Sequence, residues 1–242
     1  MAISAGQVKE AAKLAARRVG LDVRLYHPRN SVDARRARLL AEFGVATVID
    51  VGANVGQYGT LLRATGYEER IVSFEPLHGP FEELRRRAAA DGRWEAHRVA
   101  LGSQSTTATM HVAAASSASS LLGPAGGHGQ PAYVRAIGTE DVQVARLDDV
   151  ARPLVASGGA TFLKLDVQGF ELEVLRGASM LLDEVAGVEA ELALSAIYEG
   201  QPLYREVIDV IEGAGLRPVS FEPAYADQAT GRVLQVDGIF IR

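Results

Sequence analysis

The sequence predicts an α/β fold in which one mostly parallel sheet carries helices on both of its faces. Strand and helix patterns alternate along most of the 242 residues, and such alternation is typical of parallel sheets. With 48% hydrophobic residues, the chain can bury the core of one such domain. The end of the chain differs, because the strand patterns LRPVSFEP and GRVLQVDGIFIR are separated only by a short polar loop. These two patterns predict an antiparallel hairpin.

Local patterns give the expected elements in chain order. In the second expected helix, Leu39 and Phe43 lie about one turn apart, and Ser31 can cap the start. The expected helices span 6–19, 31–43, 55–65, 78–90, 146–156, 168–182 and 201–214. The expected strands before the terminal hairpin span 47–51, 70–74, 95–100, 161–166 and 188–195.

The chain is expected to comprise an N-terminal helical extension, residues 1–43, and a main domain, residues 44–242. Residues 104–145 form an insertion between the third and fourth strands, and its middle, AAASSASSLLGPAGGHGQP, is rich in Ala, Ser and Gly. A loop of that length in a compact domain is more often a lid or binding segment than idle chain. We therefore expect a mobile lid there.

Composition and charge exclude several classes of site. The sequence has no cysteine, so disulfides and a cysteine nucleophile are excluded. It shows neither a signal-peptide pattern nor a membrane-spanning apolar stretch, and we expect a cytoplasmic protein.

The charge is unevenly distributed, because residues 1–46 carry nine Lys/Arg and four Asp/Glu, although the net charge of the chain is −5. Contact of this basic arm with a membrane surface or a phosphorylated substrate is an alternative to the favoured solvated helix face. The acidic remainder argues against a nucleic-acid partner.

The stretch TVIDVGANVGQYG, residues 47–59, predicts a strand, a tight turn and a helix that together hold a cofactor. A dinucleotide site would read G-x-G-x-x-G, but Asn54 stands where the central glycine is needed. Asp50 precedes the turn, and its carboxylate would oppose a pyrophosphate and suit a cationic ligand.

Glu75 ends the second strand, where an acid can accept hydrogen bonds from both hydroxyls of a ribose. The site therefore offers one acid for a ribose and one for an ammonium group, and it has no phosphate cradle. This combination indicates S-adenosylmethionine. The carboxylate of that cofactor could meet the N–H groups at the start of helix 55–65. A tight turn with two solvated acids is the structural alternative.

A second cluster lies in FLKLDVQGFELEVLRGA. Lys164 and Asp166 share one face of a strand, and Asp166 stands at its carboxyl end, where open α/β sheets place ligands. Lys164 is one of three lysines against 22 arginines, which suggests that a compact ammonium is required there. Gly169 permits a sharp entry into a helix with Glu171 in its first turn. A buried ion pair that only fixes local structure is the alternative.

Six segments in this order resemble the FkbM family of S-adenosylmethionine-dependent methyltransferases: VIDVGANVGQYG, VSFEPLHGPFEEL, VALGS, VARLDDV, FLKLDVQGFELEVLRGA and VDGIFIR. The resemblance covers about residues 44–242. It implies a class I methyltransferase fold, with a seven-stranded sheet whose last strand is antiparallel, and O-methylation of a sugar or other natural product. It places the cofactor's amino-acid end at Asp50, Gly52, Asn54 and Gly56, the ribose at Glu75 beside Pro76, and the adenine near Ala100 and Leu101. Gln168 departs from the family, since many members carry Glu there, which puts any role of that acid in doubt.

Methylation of a hydroxyl requires removal of its proton. Asp166 is the first candidate for the base, or for a ligand of a divalent cation, with Lys164 beside it. Glu191 and Asp237 are further candidates on the fifth and last strands, and with Asp166 they could hold Mg²⁺. For Glu189, Glu191 and Asp237, pairing with arginines is an equally weighted alternative. His97 is a weaker candidate for the base, because a core or edge histidine is commoner.

Two other classes stay open. A nicotinamide-dependent dehydrogenase would explain Glu75 but not Asp50 or the missing glycine, and a non-catalytic nucleoside-binding domain would not need the complete set of acids. The expected partner is a small-molecule or glycan acceptor, and assembly as a homodimer is left open.

Overall fold

The computed structural model describes residues 5–21, 31–126, 132–151, 155, 159–227 and 230–242. The chain divides into two compact units, residues 1–36 and 37–242. Within the first unit, α1 (Ala5–Arg18) exposes Val8 and Leu14 and ends in Arg17 and Arg18. Contact of this helix with a membrane surface stays a prediction.

The helices and strands follow the expected order. The remaining helices are α2 (Val32–Glu42), α3 (Gln57–Ala64), α4 (His78–Ala89), α5 (Leu147–Val150), α6 (Glu171–Arg176), α7 (Ser179–Leu182) and α8 (Tyr204–Gly213). The strands are β1 (Val45–Val51), β2 (Arg70–Phe74), β3 (Trp94–His97), β4 (Ala100–Gly102), β5 (Thr106–Ala113), β6 (Ala136–Arg146), β7 (Ala160–Leu165), β8 (Gly187–Ala193), β9 (Arg217–Ala226) and β10 (Val233–Ile241). Short 3₁₀ turns lie at Ser116–Ala118 and Ala132–Val134.

The main sheet has seven strands in the order β3-β2-β1-β7-β8-β10-β9. In this spatial order, neighbouring strands are parallel in the series β3-β2-β1-β7-β8, whereas β10 runs antiparallel to both β8 and β9. The predicted α/β fold and its antiparallel last strand are therefore confirmed. The strand order reverses between β1 and β7, and ligands of open α/β sheets bind outside the carboxyl ends of the strands at such a point.

Apolar side chains pack on both faces of the sheet. Leu62 of α3 and Leu84 of α4 belong to one buried cluster, whereas Val174 of α6 and Ile211 of α8 belong to another. Helices therefore cover both faces, as predicted. Within the described part of the chain, no helix is long and apolar enough to cross a membrane.

The insertion is ordered over much of its length, which differs from the expected loop. The predicted strand 95–100 divides into β3 and β4, and β4 joins β5 and β6 in a second, three-stranded sheet. Met110, Val142 and Val144 of this small sheet pack against Leu77 and Ala100. The low complexity of the serine-rich segment gives no sign of the long strands on either side. Movement of that segment as a lid stays a prediction.

The predicted helix 168–182 is interrupted, because α6 and α7 are separated at Gly177. A Cβ atom on Gly177 would lie 1.9 Å from the Gly102 carbonyl oxygen, so the main chains approach closely here. The predicted helix 146–156 is observed only as α5, and residues 152–154 and 156–158 lie outside the described residues.

Candidate functional site

A cavity lies at the carboxyl ends of β1, β2 and β7, the edge at which open α/β sheets bind their ligands. It occupies the topological switch point, where the chain pattern predicted a cofactor site. Seven of the predicted site residues line it: Gly52, Asn54, Glu75, Pro76, Ala100, Leu101 and Asp166.

The turn after β1 brings its main chain close to that of β7. Gly52 has a φ of +79°, and a Cβ atom on it would lie 1.8 Å from the Asp166 carbonyl oxygen. Asn54 also has a positive φ, of 47°, a conformation that asparagine tolerates better than most residues. Gly56 has a φ of +87°, and a Cβ atom there would lie 3.0 Å from the Trp94 ring. The glycines thus serve the turn and its packing.

Glu75 is fixed by the main chain at the edge of the cavity. Its Oε2 accepts a hydrogen bond from the Asn54 N–H and its Oε1 accepts one from the Leu77 N–H, both at 2.9 Å. Burial raises the pKa of Glu75 to about 7, and the two N–H groups oppose that rise. Each carboxylate oxygen retains a lone pair, so the group can still accept two hydroxyl protons.

The far wall of the cavity is apolar. Ala100 and Leu101 are buried there, and Phe74, Met110 and Phe170 complete the wall. Ligand pockets are mostly apolar with a few polar groups that fix orientation, and contact of this wall with an adenine ring stays a prediction.

Asp50 stands behind the cavity, in one row of the sheet with Ser73, Lys164 and Glu189. It is fully buried, accepts a hydrogen bond from Ser73 Oγ at 3.1 Å, and has its Oδ1 3.7 Å from Lys164 Nζ. Burial raises the pKa of Asp50, and the Lys164 charge opposes that shift. Among the described residues, those that line the cavity include neither Asp50 nor Gly56. Their direct contact with a cofactor stays a prediction.

Lys164 joins that buried row to the cavity. Its Nζ lies 3.2 Å from Asp166 Oδ2 and 5.3 Å from the centre of the Tyr58 ring, whose hydroxyl donates to Glu189 Oε2 at 2.7 Å. Burial alone would lower the pKa of Lys164, but Asp166 and Asp50 outweigh it and raise the pKa. The lysine is therefore a permanent cation shared by a hidden and an accessible carboxylate. This sharing accounts for the single lysine in a strand of an arginine-rich chain.

Asp166 is the accessible member of the pair, with 38% of its side chain exposed at the cavity edge. Besides the contact with Lys164, its Oδ1 accepts a hydrogen bond from Gln168 Nε2 at 2.7 Å. Glu171 holds the turn that follows, because its Oε1 accepts from the N–H groups of Val167 and Gly169 at 3.0 and 3.2 Å. Burial raises the pKa of Glu171 to about 7.

Glu191 and Asp237 face one another across the β8–β10 pair. Glu191 Oε2 accepts hydrogen bonds from Gln168 Nε2 at 2.9 Å and from Gln235 Nε2 at 2.6 Å. Burial, followed by the charge of Asp166, raises the pKa of Glu191 well above its usual range.

The predicted Mg²⁺ site at Asp166, Glu191 and Asp237 finds no support in this arrangement. Among the described residues, no group of three or more His, Cys, Asp or Glu is arranged to hold a metal ion. The Gln168 amide nitrogen lies between Asp166 and Glu191 and donates to both, where a shared cation would have to lie.

The serine-rich segment covers the site through residues that sequence reasoning did not single out. Ser116 Oγ lies 3.1 Å from the Asn54 amide nitrogen, and Ser120 Oγ donates to the Gln168 carbonyl oxygen at 2.7 Å. The Tyr198 hydroxyl lies 2.8 Å from both the Ala118 carbonyl oxygen and Gln168 Oε1. The sequence carried no signal for these long-range contacts.

Gln235, by contrast, lies two residues before Asp237 on one strand, and that spacing could have revealed it. His97, the other candidate base, stacks on Phe74 with ring centres 5.2 Å apart. Burial lowers the pKa of His97, and the residue is absent from the described cavity lining.

Several solved structures of methyltransferases share a broad likeness with the chain. Fibrillarin from Aeropyrum pernix in complex with S-adenosyl-L-methionine is 12% identical, with a TM-score of 0.47 over 96% of this chain and 74% of that one. The 1,6-didemethyltoxoflavin-N1-methyltransferase of Burkholderia thailandensis is 14% identical, with a TM-score of 0.44 over 100% and 92% of the two chains. A TehB-like S-adenosylmethionine-dependent methyltransferase from Corynebacterium glutamicum ATCC 13032 is 10% identical, with a TM-score of 0.41 over 99% and 100%.

No curated protein matches the sequence. The family model described as the methyltransferase FkbM domain matches residues 50–218, a span that begins at Asp50 and includes the turn after β1, the insertion and the Asp166 turn. Because this match covers well over half of the chain, the resemblance noted from the motifs is confirmed. The chain belongs to the FkbM family of S-adenosylmethionine-dependent methyltransferases.

Proposed function

We propose that the chain transfers a methyl group to a hydroxyl of a small-molecule or glycan acceptor and that Asp166 accepts the hydroxyl proton. The observation that carries the proposal is the position of Asp166, a half-exposed carboxylate at the edge of the cavity. When bound, S-adenosylmethionine supplies an electrophilic methyl group on a positively charged sulfur.

The cavity lining fits S-adenosylmethionine group by group. Glu75 offers two lone pairs to ribose hydroxyls, and the wall around Ala100 and Leu101 suits adenine. Gly52 and Asn54 border the other end, beside Asp166, where the amino-acid part and the sulfonium would lie. The direct ribose contact by Glu75 is part of the proposal.

Asp166 has the geometry of a base that is held in one orientation. Lys164 and Gln168 each occupy one of its oxygens from the protein side. Lone pairs on both oxygens remain for the hydroxyl of an acceptor, which would donate to Asp166 as its oxygen approaches the methyl group. Lys164, Glu191 and Asp237 then support the charge and shape of the site instead of contacting the acceptor.

An experiment with labelled cofactor tests the reaction type. Purified protein would be incubated with S-adenosylmethionine bearing a ¹³C methyl group and with small-molecule and glycan fractions of cell extract. The chemical shift of the transferred carbon tells whether it is bonded to oxygen, nitrogen or carbon. For Asp166→Asn we expect transfer to fall by roughly 10²- to 10⁴-fold, the loss typical of a missing general base.

Binding measurements complete the test. S-adenosylhomocysteine should bind Asp166→Asn about as well as it binds the unaltered protein, because Glu75 and the adenine wall are untouched. Binding of NAD in place of S-adenosylhomocysteine would instead favour the dehydrogenase alternative. Label found on nitrogen or carbon would contradict O-methylation, and transfer that disappears with EDTA and returns with Mg²⁺ would contradict direct proton removal by Asp166.

A further inference from the structure

Gln168 occupies a conformation that needs an explanation. Its φ is 56°, a left-handed value that costs a non-glycine residue free energy and tends to persist only where surrounding contacts hold it. The residue is buried and lines the cavity immediately after Asp166. Glycine at this position would remove the left-handed strain of the main chain. We therefore infer that the glutamine side chain has a function that offsets the strain.

Every polar group of that side chain is engaged. The amide nitrogen has two protons, and it lies 2.7 Å from Asp166 Oδ1 and 2.9 Å from Glu191 Oε2. The amide oxygen lies 2.8 Å from the Tyr198 hydroxyl. Ser120 Oγ donates to the main-chain carbonyl of the same residue. These contacts leave the amide a single orientation, with its nitrogen toward the two acids.

The amide separates two acids that would otherwise oppose each other. Both carboxylates contact one nitrogen atom, so their oxygens lie only a few ångströms apart. Like charges at that separation favour uptake of a proton by one of them. A neutral amide with two donors satisfies both acids without adding a charge, whereas a cation would add one.

We propose that Gln168 is a positioning residue, whose amide nitrogen holds the Asp166 carboxylate in one orientation beside the sulfur of the bound cofactor. The inference rests on the proposed function, since it assigns Asp166 to the reacting end of the cavity. It adds a residue that acts through Asp166 without contacting the acceptor.

The charge of the cofactor itself supplies a readout that needs no acceptor. S-adenosylmethionine carries a positive sulfur, whereas S-adenosylhomocysteine is neutral there and otherwise the same. The ratio of their two affinities, measured by calorimetry at one pH, therefore reports the carboxylate beside the sulfur. Gln168→Met keeps the length of the side chain and removes both donors. We expect it to lower the preference for S-adenosylmethionine roughly fivefold, the equivalent of one net hydrogen bond.

Gln235→Met is the matched control. It removes the same amide group and the same contact with Glu191, but Gln235 has no hydrogen bond to Asp166 among the described contacts and does not belong to the described cavity lining. We expect an unchanged affinity ratio. An equal fall in both variants would show that the effect arises at Glu191, and it would overturn the assignment to Asp166.

A double-variant cycle tests whether Gln168 acts through Asp166. Asp166→Asn should itself lower the affinity ratio, and addition of Gln168→Met to it should lower the ratio no further, since residues that act as one unit are not additive. Should Gln168→Met lower the melting temperature too far for binding studies, Tyr198→Phe releases the other end of the amide and should change the ratio in the same direction.

The outcomes separate this inference from the proposed function. If the unaltered protein binds neither ligand, the proposed function itself fails. If it binds both, and Gln168→Met, or Tyr198→Phe in its place, leaves the affinity ratio unchanged, the cofactor site stands and the positioning role of Gln168 is overturned. Additive effects in the double variant would equally overturn it.

Discussion

The turns that follow β1 and β7 lie side by side at the switch point, yet they are built differently. The turn after β1 depends on the main chain, since Gly52 permits a contact that any Cβ atom would block. The turn after β7 depends on side chains, because Glu171 holds its N–H groups and Gln168 holds its acids. We infer that the first turn gives the cavity its shape and the second gives it its charge.

The acids beside these turns show the same contrast. Asp50 and Asp166 share Lys164, but Asp50 is fully buried, whereas 38% of the Asp166 side chain is exposed. A buried acid contributes to the fold through its partners, and an accessible acid can also meet a substrate. Position relative to the sheet edge therefore separates two acids that the sequence places at the ends of neighbouring strands.

We expect the largest effect from a substitution that disrupts the turn after β1. Gly52→Ala puts a Cβ atom 1.8 Å from a main-chain oxygen and strains a φ of +79°, so we expect a loss of at least about 4 kcal/mol in the free energy of unfolding. For Gly169→Ala, in the turn after β7, the atom nearest to the added Cβ belongs to the flexible Gln201 side chain, at 3.1 Å. This substitution should therefore cost about 1–2 kcal/mol, the cost of the left-handed strain.

Gly66→Ala is the matched control for these two variants. Its φ is +90° and nothing lies within 4 Å of the added atom, so it measures the left-handed strain alone, about 1–2 kcal/mol. Denaturant unfolding of the three variants supplies the comparison. Equal losses at Gly52 and Gly66 would show that the close approach to β7 has no energetic weight.

The next effect concerns the shared lysine. Lys164→Met leaves Asp50 buried without its cation, and we expect a loss of about 3–5 kcal/mol, as when one partner of a buried pair is removed. In that background Asp50→Asn should restore much of the stability, whereas Asp166→Asn should restore little because Asp166 is partly hydrated. Equal recovery from both, measured by denaturant unfolding, would contradict the distinction between the two acids.

A smaller effect tests Glu75, the acid at the edge of the cavity. Glu75→Gln keeps the size of the side chain but loses the charge and one of the two acceptor oxygens, and we expect the affinity for S-adenosylhomocysteine to fall by about 10- to 150-fold. Glu82→Gln is a suitable control, since Glu82 pairs with Arg85 on α4 and does not belong to the described cavity lining. Unchanged affinity in folded Glu75→Gln would refute the ribose assignment.

The smallest effect is a pH dependence. Burial raises the pKa of Glu75 from 4.5 to about 7 in the free protein, and the ribose hydroxyls require the ionised form. Affinity for S-adenosylhomocysteine should therefore rise with pH, by at most about tenfold per unit below pH 7, and level off above it. The same shift means that stability from the protonated group is present below pH 4.5 and is lost as the pH rises through 7. Calorimetry from pH 5.5 to 8.5 should show the rise in affinity, and Glu75→Gln should flatten it.

Much of this protein could be predicted from local patterns. Alternating strand and helix periods gave the parallel sheet, and the terminal hairpin followed from two strand patterns with a short loop. The acids at strand ends gave the site, because the carboxyl ends of parallel strands meet at one edge whatever the details of packing. Glu75 and Asp166 were assigned to the site on that basis, and both line the cavity. The assignments of Gly52, Asn54, Ala100 and Leu101 came from the resemblance to the FkbM family, and these residues also line it.

Other features depend on contacts between distant parts of the chain, and only the tertiary structure decided them. Strand periodicity places Lys164 and Asp166 on one face, but it does not show that Asp50 is buried beside Lys164 while Asp166 stays accessible. The division of the third strand, the small sheet in the insertion and the amide of Gln168 between two acids arise in the same way. A sequence sets which groups reach the edge of the sheet, and packing then sets which of them meet water, a ligand or each other.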